Sequence, residues 1–183
     1  VRRLGVRRLA ELFSVLTLIA LAIGVWIMLR PPSPAPPVAE APLSGAVSRI
    51  VVEKSLRRMT VYVGDRAERV WPVALGFAPE GHKTREGDGR TPEGLYRIDR
   101  RNAASAYHLS LGLDYPRPED RARARAAGVS PGGDIFLHGQ PNERPEGENL
   151  PGDWTAGCIA LADARIAELF AATPLGTVVE IRP

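Results

Sequence analysis

An uncharged run of eighteen residues, Leu12 to Leu29, closed by Arg30 and Pro31, most constrains how this chain can fold. In a helix that length just reaches the hydrocarbon thickness of a bilayer. The Arg2-Arg3 and Arg7-Arg8 pairs ahead of it predict that the N-terminal end stays on the cytoplasmic side. Residues 9–29 are therefore expected to span a membrane. A cleaved signal peptide has an apolar core of roughly 7–15 residues followed by a small-x-small site. Here the core is longer, and the nearest such site, Ala39-Glu40-Ala41, runs into Pro42. An uncleaved signal anchor is the better reading, and either reading puts the remainder of the chain outside the cytoplasm. A buried core helix is opposed by the flanking arginines and by the next segment. Pro31 to Pro42 holds six prolines in twelve positions, which favours an extended, semi-rigid spacer.

The chain thus divides into residues 1–30 (cytoplasmic tail and anchor), 31–45 (proline-rich linker) and 46–183 (one domain of ordinary size). Net charge supports this division. The formal charge is +3 from 24 basic and 21 acidic residues. Arg2, Arg3, Arg7, Arg8 and Arg30 stand against only Glu11 in the tail, leaving 19 basic and 20 acidic residues beyond it. The folded part carries no net positive charge, so nothing in the charge balance points to nucleic acid. The single cysteine, Cys158, excludes an intrachain disulfide, and the fold must rest on its apolar core.

Short β-branched runs dominate the domain. Val47–Glu53, Arg57–Val63 and Glu68–Leu75 read as strands, the last with Pro72 marking an edge or a bulge. Gly76 to Gly94 is a long loop rich in Gly, Pro and charge, of the kind that often carries function. Leu95–Ile98, Tyr107–Leu113, Asp134–Leu137 and Thr177–Ile181 are further strands. Arg117–Ala127 is helical, stopped by Gly128. A second helix starts with Asp163 as its cap and puts Ile166, Leu169 and Phe170 on one face. The expected fold is mainly β, with two short helices.

Two stretches carry chemistry: Ile135-Phe136-Leu137-His138-Gly139 and Trp154-Thr155-Ala156-Gly157-Cys158-Ile159. Each sets a polar residue at the edge of an apolar element beside a glycine. An unperturbed thiol is only a few per cent ionised at pH 7 and needs an adjacent imidazole to take its proton. His138 is the candidate base, leaving a thiolate–imidazolium pair. The imidazole needs a group to hold its tautomer, and the Gly139 carbonyl is a candidate. Backbone N–H groups around Gly157 and Cys158 are candidates to face a developing oxyanion, with Gly139 as further oxyanion or backbone support. By spacing alone, a cysteine and a histidine this far apart are equally a buried apolar thiol and a structural ring.

The order His138-Gly139, then Thr155-Ala156-Gly157-Cys158-Ile159, then a short helix and a last strand, resembles the L,D-transpeptidase (YkuD-type) catalytic domain. Gly87-Asp88-Gly89-Arg90-Thr91-Pro92-Glu93-Gly94-Leu95-Tyr96 is similar to a second segment of that family. The resemblance covers roughly Ser48 to Ile181. It departs at Ala156, where many members have a second histidine, and at Ala160, where many have Asn or Arg.

The resemblance implies a β-sandwich-like domain whose cysteine attacks the third-residue carbonyl of a peptidoglycan stem peptide and forms a thioester, with no cofactor. An amine then gives a cross-link, or attaches an envelope protein. Water in its place would make the same site a carboxypeptidase or hydrolase. A silent peptidoglycan-binding module is kept open by Ala156 and opposed by the His138–Cys158 pair. The expected setting is a single-pass bacterial inner-membrane protein with its domain in the periplasm. The sequence shows no metal-ligand cluster. Arg90 is either a substrate-carboxylate contact or a solvated loop charge. Trp154 either lines the acyl pocket or anchors its loop, and Thr155 is a candidate substrate-binding residue. Asp153 either orients a histidine or caps a turn.

Overall fold

The structure is a computed structural model that describes residues 41–183 apart from residue 146, together with Ile19, Leu21, Gly24 and Trp26. Residues 1–40 and 41–183 are separate compact units. The four described residues of the first unit are helical and exposed. The expected anchor at 9–29 and the proline-rich linker up to residue 40 otherwise lie outside the described residues. Among the described residues no helix is long and apolar enough to cross a membrane.

The second unit is built from eight strands and two helices: β1 (Val47–Glu53), β2 (Arg58–Val63), β3 (Arg66–Pro72), β4 (Gly94–Ser105), β5 (His108–Leu113), α1 (Pro118–Ala126), β6 (Phe136–His138), β7 (Ile159–Ala160), α2 (Asp163–Ala172) and β8 (Val178–Arg182). The strands form one sheet in the order β3-β2-β1-β8-β4-β5-β6-β7. The β1–β8 and β6–β7 pairs are parallel and the others antiparallel.

The sheet curls because β4 serves two neighbours. Its first residues, Gly94 to Arg97, pair with β8, whereas Ile98 onward pairs with β5 across a register shift between Ile98 and Arg100. Beyond β3 the chain then crosses to the opposite edge. Ala74 and Ala160 exchange both backbone hydrogen bonds, at 2.9 and 2.8 Å. The two ends of the sheet are thereby tied, so the expected sandwich-like arrangement is in fact one continuous sheet wrapped round one core.

That core explains why the apolar alternation reads as strands. Ile50 and Val52 of β1, Met59 and Val61 of β2, Leu111 and Leu113 of β5, Leu137, Ile159, Val179 and Ile181 all point into one buried cluster. Ile166 and Leu169 of α2 join it, as the helical spacing requires. Burying each such side chain contributes about 1.5–3 kcal/mol.

Two local expectations change. Asp163 does not cap α2: Ala162 holds that position, and the Asp163 carboxylate accepts the Gln140 N–H at 2.7 Å instead. β7 is only two residues long, too short to show a period in sequence, yet it carries the residue after Cys158 into the sheet.

Candidate active site

The parallel pairing of β6 and β7 brings the two reactive residues together. Leu137 lies opposite Ile159 and His138 opposite Ala160, so one step back sets Cys158 beside Phe136. Side chains alternate across a strand. Leu137 and Ile159 are fully buried in the core, which turns Phe136, His138, Cys158 and Ala160 to the other face. The thiol's contacts agree with this placement: the Phe136 N–H donates to Sγ at 3.4 Å, and Sγ donates to the Asp134 carbonyl at 3.4 Å.

His138 is only 4% exposed. Its Nδ1 lies 2.7 Å from the Gly139 carbonyl oxygen. A carbonyl can only accept, so this contact puts the imidazole proton on Nδ1 and leaves the Nε2 lone pair free to act as a base. Two aromatic rings shield the imidazole. Tyr107 lies 4.7 Å from it, centroid to centroid, and Trp154 meets it edge-on at 5.6 Å. Burial lowers the His138 pKa, and the bond to Gly139 opposes that shift only in part.

The thiol is shifted in the matching sense. Burial raises the Cys158 pKa, the Phe136 N–H lowers it, Asp134 raises it, and Lys83 and Arg100 lower it. No hydrogen bond joins Sγ to the imidazole. The thiol donates to the Asp134 carbonyl, and burial shifts both His138 and Cys158 towards their neutral forms. The thiolate–imidazolium pair expected from sequence is disfavoured there because both charged forms would be desolvated.

The turn carrying Cys158 is held by Thr155. Its buried hydroxyl accepts from the Gly157 N–H at 3.1 Å and donates to the Cys158 carbonyl at 2.7 Å. Gly157 has φ +140, and a Cβ there would sit 2.7 Å from the Arg90 carbonyl oxygen. Only glycine allows that approach. The expected oxyanion role of the two glycines is not borne by their N–H groups. That of Gly157 is committed to Thr155, and that of Gly139 donates to the Tyr107 and Leu109 carbonyls at 3.0 and 3.3 Å. Gly139 instead supplies its carbonyl to His138, and Gly157 supplies room.

Arg90 is half-buried, and its guanidinium has no hydrogen-bond or ion-pair partner among the described residues. Its backbone N–H donates to Asp88 at 3.1 Å. Ala156 is exposed and offers no side-chain donor. Trp154 is half-buried, and its Nε1 is shielded without a hydrogen-bond partner. Asp153 takes neither role considered for it. It pairs with Arg57 at 2.8 Å and accepts the Leu75 N–H at 2.9 Å, tying the loop before Cys158 to the sheet.

Two further residues did not stand out from the sequence. Tyr107 sits at the tip of the β4–β5 hairpin, where a lone tyrosine has no pattern to betray it. Lys83 belongs to the long loop and is 4% exposed. Its ammonium donates to Asp88 at 2.9 Å and to the Arg85 carbonyl at 3.2 Å. A lysine five residues before a carboxylate set between two glycines was the available signal.

Residues 48–181 match the L,D-transpeptidase catalytic domain family, YkuD. YqjB of Bacillus subtilis (strain 168), named a putative L,D-transpeptidase, is 28% identical over 149 residues, covering 79% of this chain and 76% of that protein. The structure of the helical cell shape determining protein Pgp2 from Campylobacter jejuni superposes with a TM-score of 0.57 at 25% identity, over 75% of this chain and 48% of that one. Bd1075 of Bdellovibrio bacteriovorus shares the fold, with a TM-score of 0.52 at 22% identity over 79% of this chain and 50% of that one. The chain spans about half the length of these two solved structures. With the family matched across nearly all of the curled sheet and both stretches of the site, this chain belongs to the L,D-transpeptidase catalytic domain family.

Proposed function

We propose that this protein is a peptidoglycan L,D-transpeptidase in which Cys158 is the nucleophile and His138 the base. The observation that carries the reading is the shared face of His138 and Cys158 on the β6–β7 pair, with the imidazole tautomer set by the Gly139 carbonyl. Membership of the family supplies the substrate class.

In the first step Nε2 of His138 takes the thiol proton as Sγ bonds to the third-residue carbonyl carbon of a stem peptide. The tetrahedral intermediate collapses, the bond to the terminal D-alanine breaks, and the leaving amine takes the proton from His138. A thioester on Cys158 remains. An amine acceptor then attacks the thioester, His138 receives the acceptor's proton, and the thiol regains it as the C–S bond breaks. Burial favours the neutral thiol and imidazole, so proton transfer to Nε2 goes together with bond formation at Sγ rather than ahead of it. The free guanidinium of Arg90 is suited to a substrate carboxylate, and Tyr107 with Trp154 walls the imidazole side.

Water in place of the amine makes the same thioester a carboxypeptidase or hydrolase intermediate. An envelope protein is the alternative amine acceptor. The domain then lies outside the cytoplasmic membrane, held by residues 9–29 of an inner-membrane protein.

The test is mass analysis of tetrapeptide muropeptides incubated with and without an added amine. The wild type is expected to release D-alanine and to form the amide of the added amine, and Cys158→Ala to do neither. D-alanine release that survives in Cys158→Ala, or its absence with wild type, would contradict the proposal.

A further inference from the structure

We propose that Asp134 is a specificity-determining residue of the site: its exposed carboxylate receives the side-chain ammonium of the diamino acid whose carbonyl carbon meets Cys158. This rests on the stem-peptide reading above and names the contact that selects the third residue.

The sheet register brings the carboxylate to the nucleophile. Arg100 of β4 pairs with Gly112 of β5, and Gly112 pairs with Phe136 of β6. Phe136 lies beside Cys158, so one row across the outer face of the sheet runs from Arg100 to the thiol. Gly112 leaves a gap in that row for the Arg100 side chain, since a Cβ there would sit 2.4 Å from Arg100 Cγ. The guanidinium rests on the Phe136 ring, 4.5 Å from its centroid. Its Nη2 donates to Oδ1 of Asp134 at 3.0 Å. The Asp134 carbonyl in turn accepts from the Cys158 thiol at 3.4 Å. One residue thus touches Sγ through its backbone and carries a carboxylate within a side chain's length of that contact.

The fold does not use up this carboxylate. The Asp134 side chain is 89% exposed, and its Oδ2 accepts no hydrogen bond among the described residues. Arg100 does not cancel the charge, because the same guanidinium also donates to both oxygens of Asp99, at 3.1 and 3.0 Å. Stability does not account for the residue either. An ion pair this exposed contributes little, and Asp134 has φ +55, which glycine adopts at no steric cost. What aspartate adds over glycine here is an anionic group beside the nucleophile.

The chemistry of a stem peptide matches that group. When Sγ bonds to the third-residue carbonyl carbon, the diamino side chain begins at the adjoining Cα and ends in an ammonium. An ammonium has three donors and no acceptor, so the unpartnered Oδ2 is its complement. A peptide lying over the row from Arg100 to Cys158 excludes water from the pair, which strengthens it over the same contact in open solvent.

The test is calorimetric peptide binding to the full-chain Cys158→Ala protein, which binds without turning over. The probes are tetrapeptides with lysine or diaminopimelate as third residue, each with its side-chain amine free or acetylated. Acetylation should weaken binding of the preferred peptide about tenfold, the scale of one charge-assisted hydrogen bond. Adding Asp134→Asn should bring the free peptide down to the affinity of the acetylated one. Asparagine keeps an Oδ1 acceptor for Arg100 and tolerates the left-handed backbone as aspartate does, so the comparison isolates the charge. Equal affinity of the free and acetylated peptides for Cys158→Ala, or a preference that persists with Asp134→Asn, would overturn the assignment. An Asp134→Asn protein that fails to fold would do the same, by assigning the residue to architecture. None of these results bears on the thioester, which D-alanine release judges separately.

Discussion

Nδ1 of His138 donates to the carbonyl oxygen of the next residue, Gly139, at 2.7 Å, and no side chain shares that task. The backbone fixes the tautomer, and burial favours the neutral ring. An unfolded histidine titrates near 6.5, and in the folded chain His138 titrates lower. As pH falls through this window the unfolded state binds more protons, so stability is complete above about 6.5 and is lost towards the folded pKa. His82 is shifted in the same sense by its own burial, so the comparison has to be with His138→Gln. Thermal melts between pH 5 and 8 should show a smaller acid-side fall in that variant than in wild type. The acid limb of Cys158 acylation should likewise lie below pH 6.5. A limb above that value would mean that His138 is not held neutral by its surroundings.

Thr155→Val keeps the shape of the side chain and removes both of its hydrogen bonds. The buried Gly157 N–H would then lack a partner, at a cost of about 1–3 kcal/mol. Denaturant unfolding should register this loss while circular dichroism stays that of a β protein. Acylation should slow at least about tenfold, because loss of the hydroxyl frees the turn that aims the nucleophile. Wild-type acylation in this variant would show that something other than Thr155 holds the turn.

Gly157→Ala should be far more costly than Gly152→Ala. Both glycines have positive φ, so both substitutions carry backbone strain of about 1–3 kcal/mol. At Gly152 a Cβ meets nothing within 4 Å, whereas at Gly157 it meets the Arg90 carbonyl at 2.7 Å. Melting temperatures of the two variants measure the difference. Equal losses would mean that the loop bearing Arg90 does not pack where the structure puts it.

Asp153→Ala should destabilise the fold and leave the acid limb of acylation in place. The carboxylate holds Arg57 and the Leu75 N–H and makes no contact with His138. Losing these partners should cost about 1–3 kcal/mol in denaturant unfolding. A shifted acid limb would restore the alternative in which Asp153 orients the histidine.

The sequence made the strands legible because most of them bury one face, and their alternation survives in Met59, Val61, Leu111 and Leu113. It did not show how the sheet closes. Ala74 and Ala160 meet through backbone groups alone, and a contact without side chains leaves no pattern to read. His138 and Cys158 stood out because each is a reactive residue next to a glycine at the edge of an apolar run. The roles of those glycines were harder to assign. Whether a backbone N–H is free or already bonded depends on residues elsewhere in the fold, such as Tyr107 for Gly139 and Thr155 for Gly157. The direction of the pKa shift was legible for neither residue of the pair, because desolvation is set by what folds over a group, and Tyr107 and Trp154 arrive from separate loops.

An activated thiol at Cys158 is the central claim, and intact mass after exposure to a carbapenem tests it most directly. The strained lactam carbonyl of such a compound presents the electrophile the site is built to meet, and opening the ring leaves an acyl group on sulfur. Wild type should gain the mass of one carbapenem, and Cys158→Ala should gain none. Wild type that remains unmodified while iodoacetamide still labels Cys158 would contradict the claim, leaving an accessible thiol with no acyl-transfer machinery around it.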